Sequence, residues 1–145
     1  MKRWLVFIAS LAFGALFLWS GVAKVKDPVS FAEAIRHFRL VGDPVAPALA
    51  HFLPWLEIFA GIAVMWDRTR QAGALLLTLL LLGFTGAVVI AWVRGLDITC
   101  GCFGGEESMN YRVKVAQNLG LIVWGAMLFF LSLPSRIAPD SVPRA

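Results

Sequence analysis

The chain has 145 residues, 59% of them hydrophobic and only 15% charged, with a mean hydropathy of +0.78. A soluble domain carries about a quarter charged residues, so this composition argues against a water-soluble globule and for one compact integral membrane unit. The net charge of +4 is accounted for by basic residues flanking membrane helices, and calls for neither nucleic acid nor an acidic substrate.

In chain order, the first apolar run is Trp4 to Val22, preceded by Lys2 and Arg3. Gly21-Val22-Ala23 resembles a signal-peptide cleavage site, but a signal peptide's apolar core spans about 7–15 residues and this run is nearer a full span. The expectation is a retained helix. Asp27 to Leu40 reads as a short amphipathic helix over about 28–40. Asp27 is its N-cap, Pro28 lies in its first turn, and Phe31, Ala34, Ile35 and Phe38 recur at helical spacing. It suits a helix lying at the membrane interface, or a docking platform for a soluble partner.

A second span is expected over about 47–66, with Pro54 inside it removing one backbone donor. A Leu-rich third runs over about 72–93, and a fourth over about 113–133 ends before Pro134. The fold class is therefore all-α: a bundle of four transmembrane helices with an interfacial helix between the first two. Trp4, Trp19, Trp66 and Trp92 lie near span ends, as an aromatic belt requires, while Trp55 and Trp124 are expected to pack inside. The tail over 135–145 is expected to be an unstructured end.

Four spans put both termini on one side and the loop between the third and fourth spans on the other. The terminal side carries Lys2, Arg3, Arg68, Arg70, Arg136 and Arg144; the other carries Lys24, Lys26, Arg36, Arg39, Arg94, Arg112 and Lys114. This count does not orient the chain. The Lys2-Arg3 pair, with Arg68 and Arg70 in the tightest loop, favours cytoplasmic termini, which would put the other loop on the oxidising side.

That loop holds the chain's two cysteines, Cys100-Gly101-Cys102, followed by Phe103-Gly104-Gly105. A disulfide between residues two apart needs a bent backbone to bring the Cα atoms within about 4.4–6.8 Å, which Gly101 permits. Such a small ring removes little unfolded-state entropy, so it is a poor staple. A strained ring of this kind exchanges readily. Two idle thiols, or a soft-metal site, are the alternatives; no metal ligand set is expected, since two thiolates do not complete a tetrahedral site and His37 and His51 lack a compelling spacing.

Glu57 falls near mid-membrane, where a carboxylate costs about 2.5–3.5 kcal/mol. It must face the bundle and be paired, hydrogen-bonded or protonated. Lys24, Ser20, Gln117 and Asn118 are its candidate partners. A polar clamp between helices is the plain reading; proton handling or contact with a quinone carbonyl is the functional one. Lys24, at the end of span one, can snorkel in either direction.

Taken together, Phe17-Leu18-Trp19-Ser20-Gly21-Val22-Ala23-Lys24, Asp27-Pro28 and Phe31, Leu53-Pro54-Trp55-Leu56-Glu57, and Arg94-Gly95-Leu96 leading to Cys100-Gly101-Cys102-Phe103-Gly104 resemble the MauE family. That family lies within the wider DoxX-like group of four-helix membrane proteins, and the similarity runs from span one through span four. The resemblance implies a bacterial inner-membrane protein of methylamine-utilisation type. It implies action with a thioredoxin-like periplasmic partner, MauD, in forming the disulfides of the methylamine dehydrogenase small subunit. It makes Cys100 and Cys102 the redox pair and Lys24 and Glu57 the polar positions of the bundle. Many relatives carry Arg-Asn early in the last span, where this chain has Gln117-Asn118.

The leading expectation is a thiol–disulfide oxidoreductase component whose Cys100–Cys102 bridge is attacked by a thiolate of a periplasmic partner or client. With one cysteine pair the chain must pass electrons to a second protein or to a membrane quinone, with Lys24, Glu57 and Phe103 as candidate contacts. Trp92 could also flank a quinone head, although aromatic residues there more commonly serve as belt or core. A non-catalytic membrane anchor and a soft-metal carrier are the alternatives.

Overall fold

The apolar runs become helices, and the first, the third and the start of the fourth extend a few residues beyond the hydrophobic stretch, because flanking Lys, Arg and Gln continue a helix at little cost. A computed structural model describes residues 1–96 and 110–133. Its helices are α1 (Lys2–Lys26), α2 (Pro28–His37), α3 (Val45–Met65), α4 (Arg70–Val93) and α5 (Tyr111–Leu131). All but α2 are long and apolar enough to cross a membrane. The first run is an integral helix of the bundle, in extensive contact with α3. The cysteine-bearing loop and the expected tail lie outside the described residues.

The helices form a ring. α1 packs chiefly on α3, α3 on α4 and α4 on α5, and a smaller contact returns from α5 to α1. The core is built from Phe13, Phe17, Ala60, Val64, Ala74, Leu77, Leu81 and Leu128. Between apolar helices in lipid, close backbone approach supplies much of the association. A Cβ added at Gly14 would lie 2.6 Å from the Gly61 carbonyl oxygen, and one at Gly21 would lie 2.9 Å from that of Pro54. These contacts run in opposite chain directions, so α1 and α3 are antiparallel. Three buried or half-buried hydroxyls are satisfied on their own helices: Ser10, Thr78 and Thr85 donate to the carbonyls of Val6, Ala74 and Leu81 at 2.6–2.7 Å.

α2 caps the end of the bundle where α1 stops and α3 starts. The Asp27 side chain accepts from the Ser30 backbone N–H at 3.1 Å and from the Ser30 hydroxyl at 2.7 Å, the expected N-cap. Those two hydrogen bonds hold its carboxyl below the usual value. Phe31, Ala32, Ala34 and Phe38 are buried, while Glu33, Arg36 and His37 are exposed. The helix is shorter than the amphipathic pattern, because Arg39 turns to a positive φ of 49°.

The C-terminus of α4 closes with a Schellman motif. Leu96 N–H donates to Ala91 and Gly95 N–H to Trp92, around Gly95 at φ 64°, the left-handed position that favours glycine. Trp92 stacks on Tyr111, with centroids 6.2 Å apart, and the Tyr111 hydroxyl donates to the Leu96 carbonyl. The two attachment points of the cysteine segment are thereby tied together.

Trp124 packs on Phe13, with centroids 5.5 Å apart, as expected. Trp55 does not pack inside: it is 49% exposed. The buried positions of α3 run Ala46, Ala50, Pro54, Glu57, Gly61 and Val64, and Trp55 is rotated off that stripe. In lipid an outward Trp carries no penalty, since acyl chains are as apolar as the core.

Candidate functional site

Side chains on a helix lean toward its N-terminus. Lys24 lies two residues before the end of α1, so it leans into the bundle. Glu57 on antiparallel α3 leans the opposite way, toward Lys24. The Gly21 contact brings the two backbones close enough for them to meet. Lys24 Nζ lies 2.6 Å from Glu57 Oε1 and 2.8 Å from Oε2. The Ser20 hydroxyl donates to Oε2 at 3.3 Å. Both charged side chains are about nine-tenths buried, and Lys24 Nζ sits 5.2 Å from the centroid of Phe31. The pair closes α1 onto α3 and neutralises a carboxylate that could not otherwise remain at this depth.

The pair forms one wall of a cavity of about 80 Å³. The opposite wall comes from α5, where Lys114 and Asn118 stand one turn apart and both line the space. Asn118 is 3% exposed, and its Nδ2 has no hydrogen-bond partner among the described residues. Lys114 Nζ lies 5.9 Å from the centroid of Phe84. Phe31 and Phe84 line both this cavity and an apolar groove of about 280 Å³ between α2, α3 and α4; Leu53 and Leu80 are shared too. The arrangement is amphipathic: a small chamber with N–H donors and one carboxylate, beside a wider hydrocarbon-lined space.

Lys24 and Glu57, both singled out from the sequence, are brought together. Of the further candidates, Ser20 bonds Glu57 and Asn118 lines the same cavity, whereas Gln117, the neighbouring position, is exposed on the outer face of α5. Lys24 points inward rather than snorkelling to the headgroups. Cys100, Cys102 and Phe103 lie outside the described residues. Trp92 stacks on Tyr111 and does not line the cavity. Both histidines are exposed, with His51 Nδ1 2.9 Å from the Pro47 carbonyl. By sequence Lys114 counts only as a flanking charge; its i, i+4 relation to Asn118 is the signal that both share one face.

Four apolar spans arranged around an inward-facing ion pair define a polytopic membrane bundle with a polar chamber near one end. The family model described as "Methylamine utilisation protein MauE" matches residues 2–131. The chain therefore belongs to the MauE family and is a multi-pass bacterial membrane protein. Among its relatives is a protein of Methylorubrum extorquens named "Methylamine utilization protein MauE", 32% identical over 91% of this chain and 71% of the relative. The protein of the same name from Methylophilus methylotrophus is 26% identical over 94% and 73%. That from Paracoccus denitrificans is 29% identical over 84% and 66%. No solved structure matches.

Proposed function

We propose that this chain is the membrane component of a thiol–disulfide exchange system in methylamine utilisation, with Cys100 and Cys102 as its redox pair and a lipid-soluble quinone as its electron acceptor. The loop faces the periplasmic side of the inner membrane, where a disulfide persists. A thiolate of a thioredoxin-like partner attacks one sulfur of the Cys100–Cys102 bridge, giving a mixed disulfide and one free thiolate here. The partner's second thiolate displaces the remaining cysteine. The partner leaves oxidised, and this chain holds two thiols.

The observation that carries the reading is a convergence. Lys24, Glu57, Ser20 and Asn118 meet in the half of the bundle from whose rim, at Leu96 and Asn110, the cysteine segment departs. Asn118 Nδ2, an unpartnered buried donor, suits a carbonyl acceptor. The apolar groove of about 280 Å³ exceeds the roughly 150 Å³ that accommodates a benzene-sized ring. A quinone held there would accept the two electrons and two protons released when the dithiol closes. The Lys24–Glu57 pair keeps the chamber polar while neutralising its carboxylate. Phe103 is the candidate to border the head from the loop.

Trapping tests the exchange step. Cys100→Ser or Cys102→Ser should accumulate a mixed disulfide with the partner, identified by mass spectrometry. An unchanged redox state of periplasmic clients in the double replacement reduces the chain to an anchor. Quinone binding is tested separately by fluorescence quenching with a short-chain quinone. Asn118→Leu should weaken it about five- to tenfold, in line with one lost hydrogen bond of about 1 kcal/mol, and Cys100→Ser with Cys102→Ser should leave it intact.

A further inference from the structure

The opposite end of the bundle, where α1 and α4 begin and α3 and α5 finish, carries a second cavity of about 750 Å³. Lys2, Arg3, Trp4, Phe7, Asp67 and Arg70 line it, setting three cations against one carboxylate. Arg70 is the unusual member. Its side chain is only 9% exposed, while that of Asp67, to which it is ion-paired, is 79% exposed. A guanidinium offers five N–H donors, and burying it with its donors unmatched is costly. Arg70 Nε is buried and has no hydrogen-bond partner among the described residues.

The rest of the lining gives the missing acceptor its chemistry. Trp4 is 70% exposed and Phe7 41% exposed, and Val6 and Leu131 complete an apolar wall. The wall runs along the first turns of α1, whose outward residues Leu5, Ile8 and Leu11 are likewise exposed. A ligand that fills this space carries an anionic head for Arg70, Lys2 and Arg3 and a hydrocarbon part for the wall. Arginine recognises phosphate oxygens through its planar fork, and basic pockets between membrane helices hold phosphate-bearing lipid heads.

We infer that this cavity is a binding site for one anionic phospholipid, whose phosphate is held by Arg70 with Lys2 and Arg3 and whose acyl chain lies along Phe7 and Leu131. The site is independent of the cysteine pair and of the Lys24–Glu57 chamber.

The full chain, extracted from nanodiscs containing equal phosphatidylglycerol and phosphatidylcholine, should retain one phosphatidylglycerol by native mass spectrometry. Lys2→Gln with Arg3→Gln changes only exposed residues of the first turn, and the variant is compared at unchanged helicity. Each removed cation should weaken retention about fivefold. Arg70→Gln should weaken it at least as much, and Arg70→Lys, which keeps charge without the fork, should fall between. Arg94→Gln, at the other end, should change nothing. Equal retention of the two lipids overturns the proposal. So does an equal loss in Arg94→Gln, which would mean bulk attraction. Displacement by millimolar inorganic phosphate would overturn the acyl-chain part and mark a site for a free anion.

Discussion

The two ends of this bundle handle buried charge in opposite ways. At the α2 end, Lys24 and Glu57 satisfy each other within hydrogen-bonding distance, and the cavity beside them holds the Asn118 amide donor, which has no partner among the described residues. At the terminal end, Arg70 is buried against a carboxylate that stands mostly in solvent, with Lys2 and Arg3 nearby. A pair closed within the protein joins helices and shapes a chamber suited to a neutral guest. Among the described residues a cationic excess is left open there, which is why an external anion is proposed for it. Inside lipid the same residue types therefore close on each other or stay open to a ligand, according to whether a partner lies on a facing helix.

The sharpest way to break that contrast is to open the closed pair. Lys24→Met strands Glu57 near mid-membrane and should cost about 3–5 kcal/mol, read as lost thermal stability in nanodiscs. Glu57→Leu should cost less, because Lys24 lies close to the end of α1 and can swing its ammonium to the interface. The double replacement should recover most of the loss, and a double-mutant cycle without coupling would remove the clamp from the account. Next in size is Gly21→Ala, which sets a methyl against the Pro54 carbonyl oxygen and Ile58 Cγ1. Overpacking of this kind costs about 1–3 kcal/mol and should also separate Lys24 from Glu57, visible as weaker quinone binding.

Asn118→Leu sharpens the comparison from the other side. The lost amide donor had no partner, so stability should change by less than about 1 kcal/mol or rise slightly, while quinone affinity falls. A large destabilisation would make Asn118 a structural residue. The smallest effect concerns α2. The Ser30 hydrogen bonds hold the Asp27 carboxyl below its ordinary value. Their contribution is present above the unfolded value and is lost as pH falls through the lowered one. Hydrogen exchange in the first turn of α2 should accelerate there, and Asp27→Ala should remove the pH dependence.

Much of the architecture was legible in the residues. Spans of about 20 apolar residues have one reading in a bilayer, so the four crossing helices were recognisable and their ends differed by only a few residues. The Asp27-Pro28 start of α2 was legible because capping is a local contact. Glu57 stood out because a carboxylate at that depth demands a partner. What pattern could not supply was the choice among partners. Ser20, Lys24, Gln117 and Asn118 were all eligible, and the antiparallel crossing at Gly21 selected Lys24 and Ser20. Helical phase turned Asn118 inward and Gln117 outward. Trp55 was misplaced because bulk and aromaticity do not signal burial where the solvent is hydrocarbon.

The sequence by itself determined the number of spans, their lengths and the presence of one costly carboxylate, because these follow from the cost of exposing polar groups to lipid. Only the tertiary structure decided which charges are closed on each other and which remain open. That depends on the angle and depth at which two helices cross, and those are set by contacts between residues far apart in the chain.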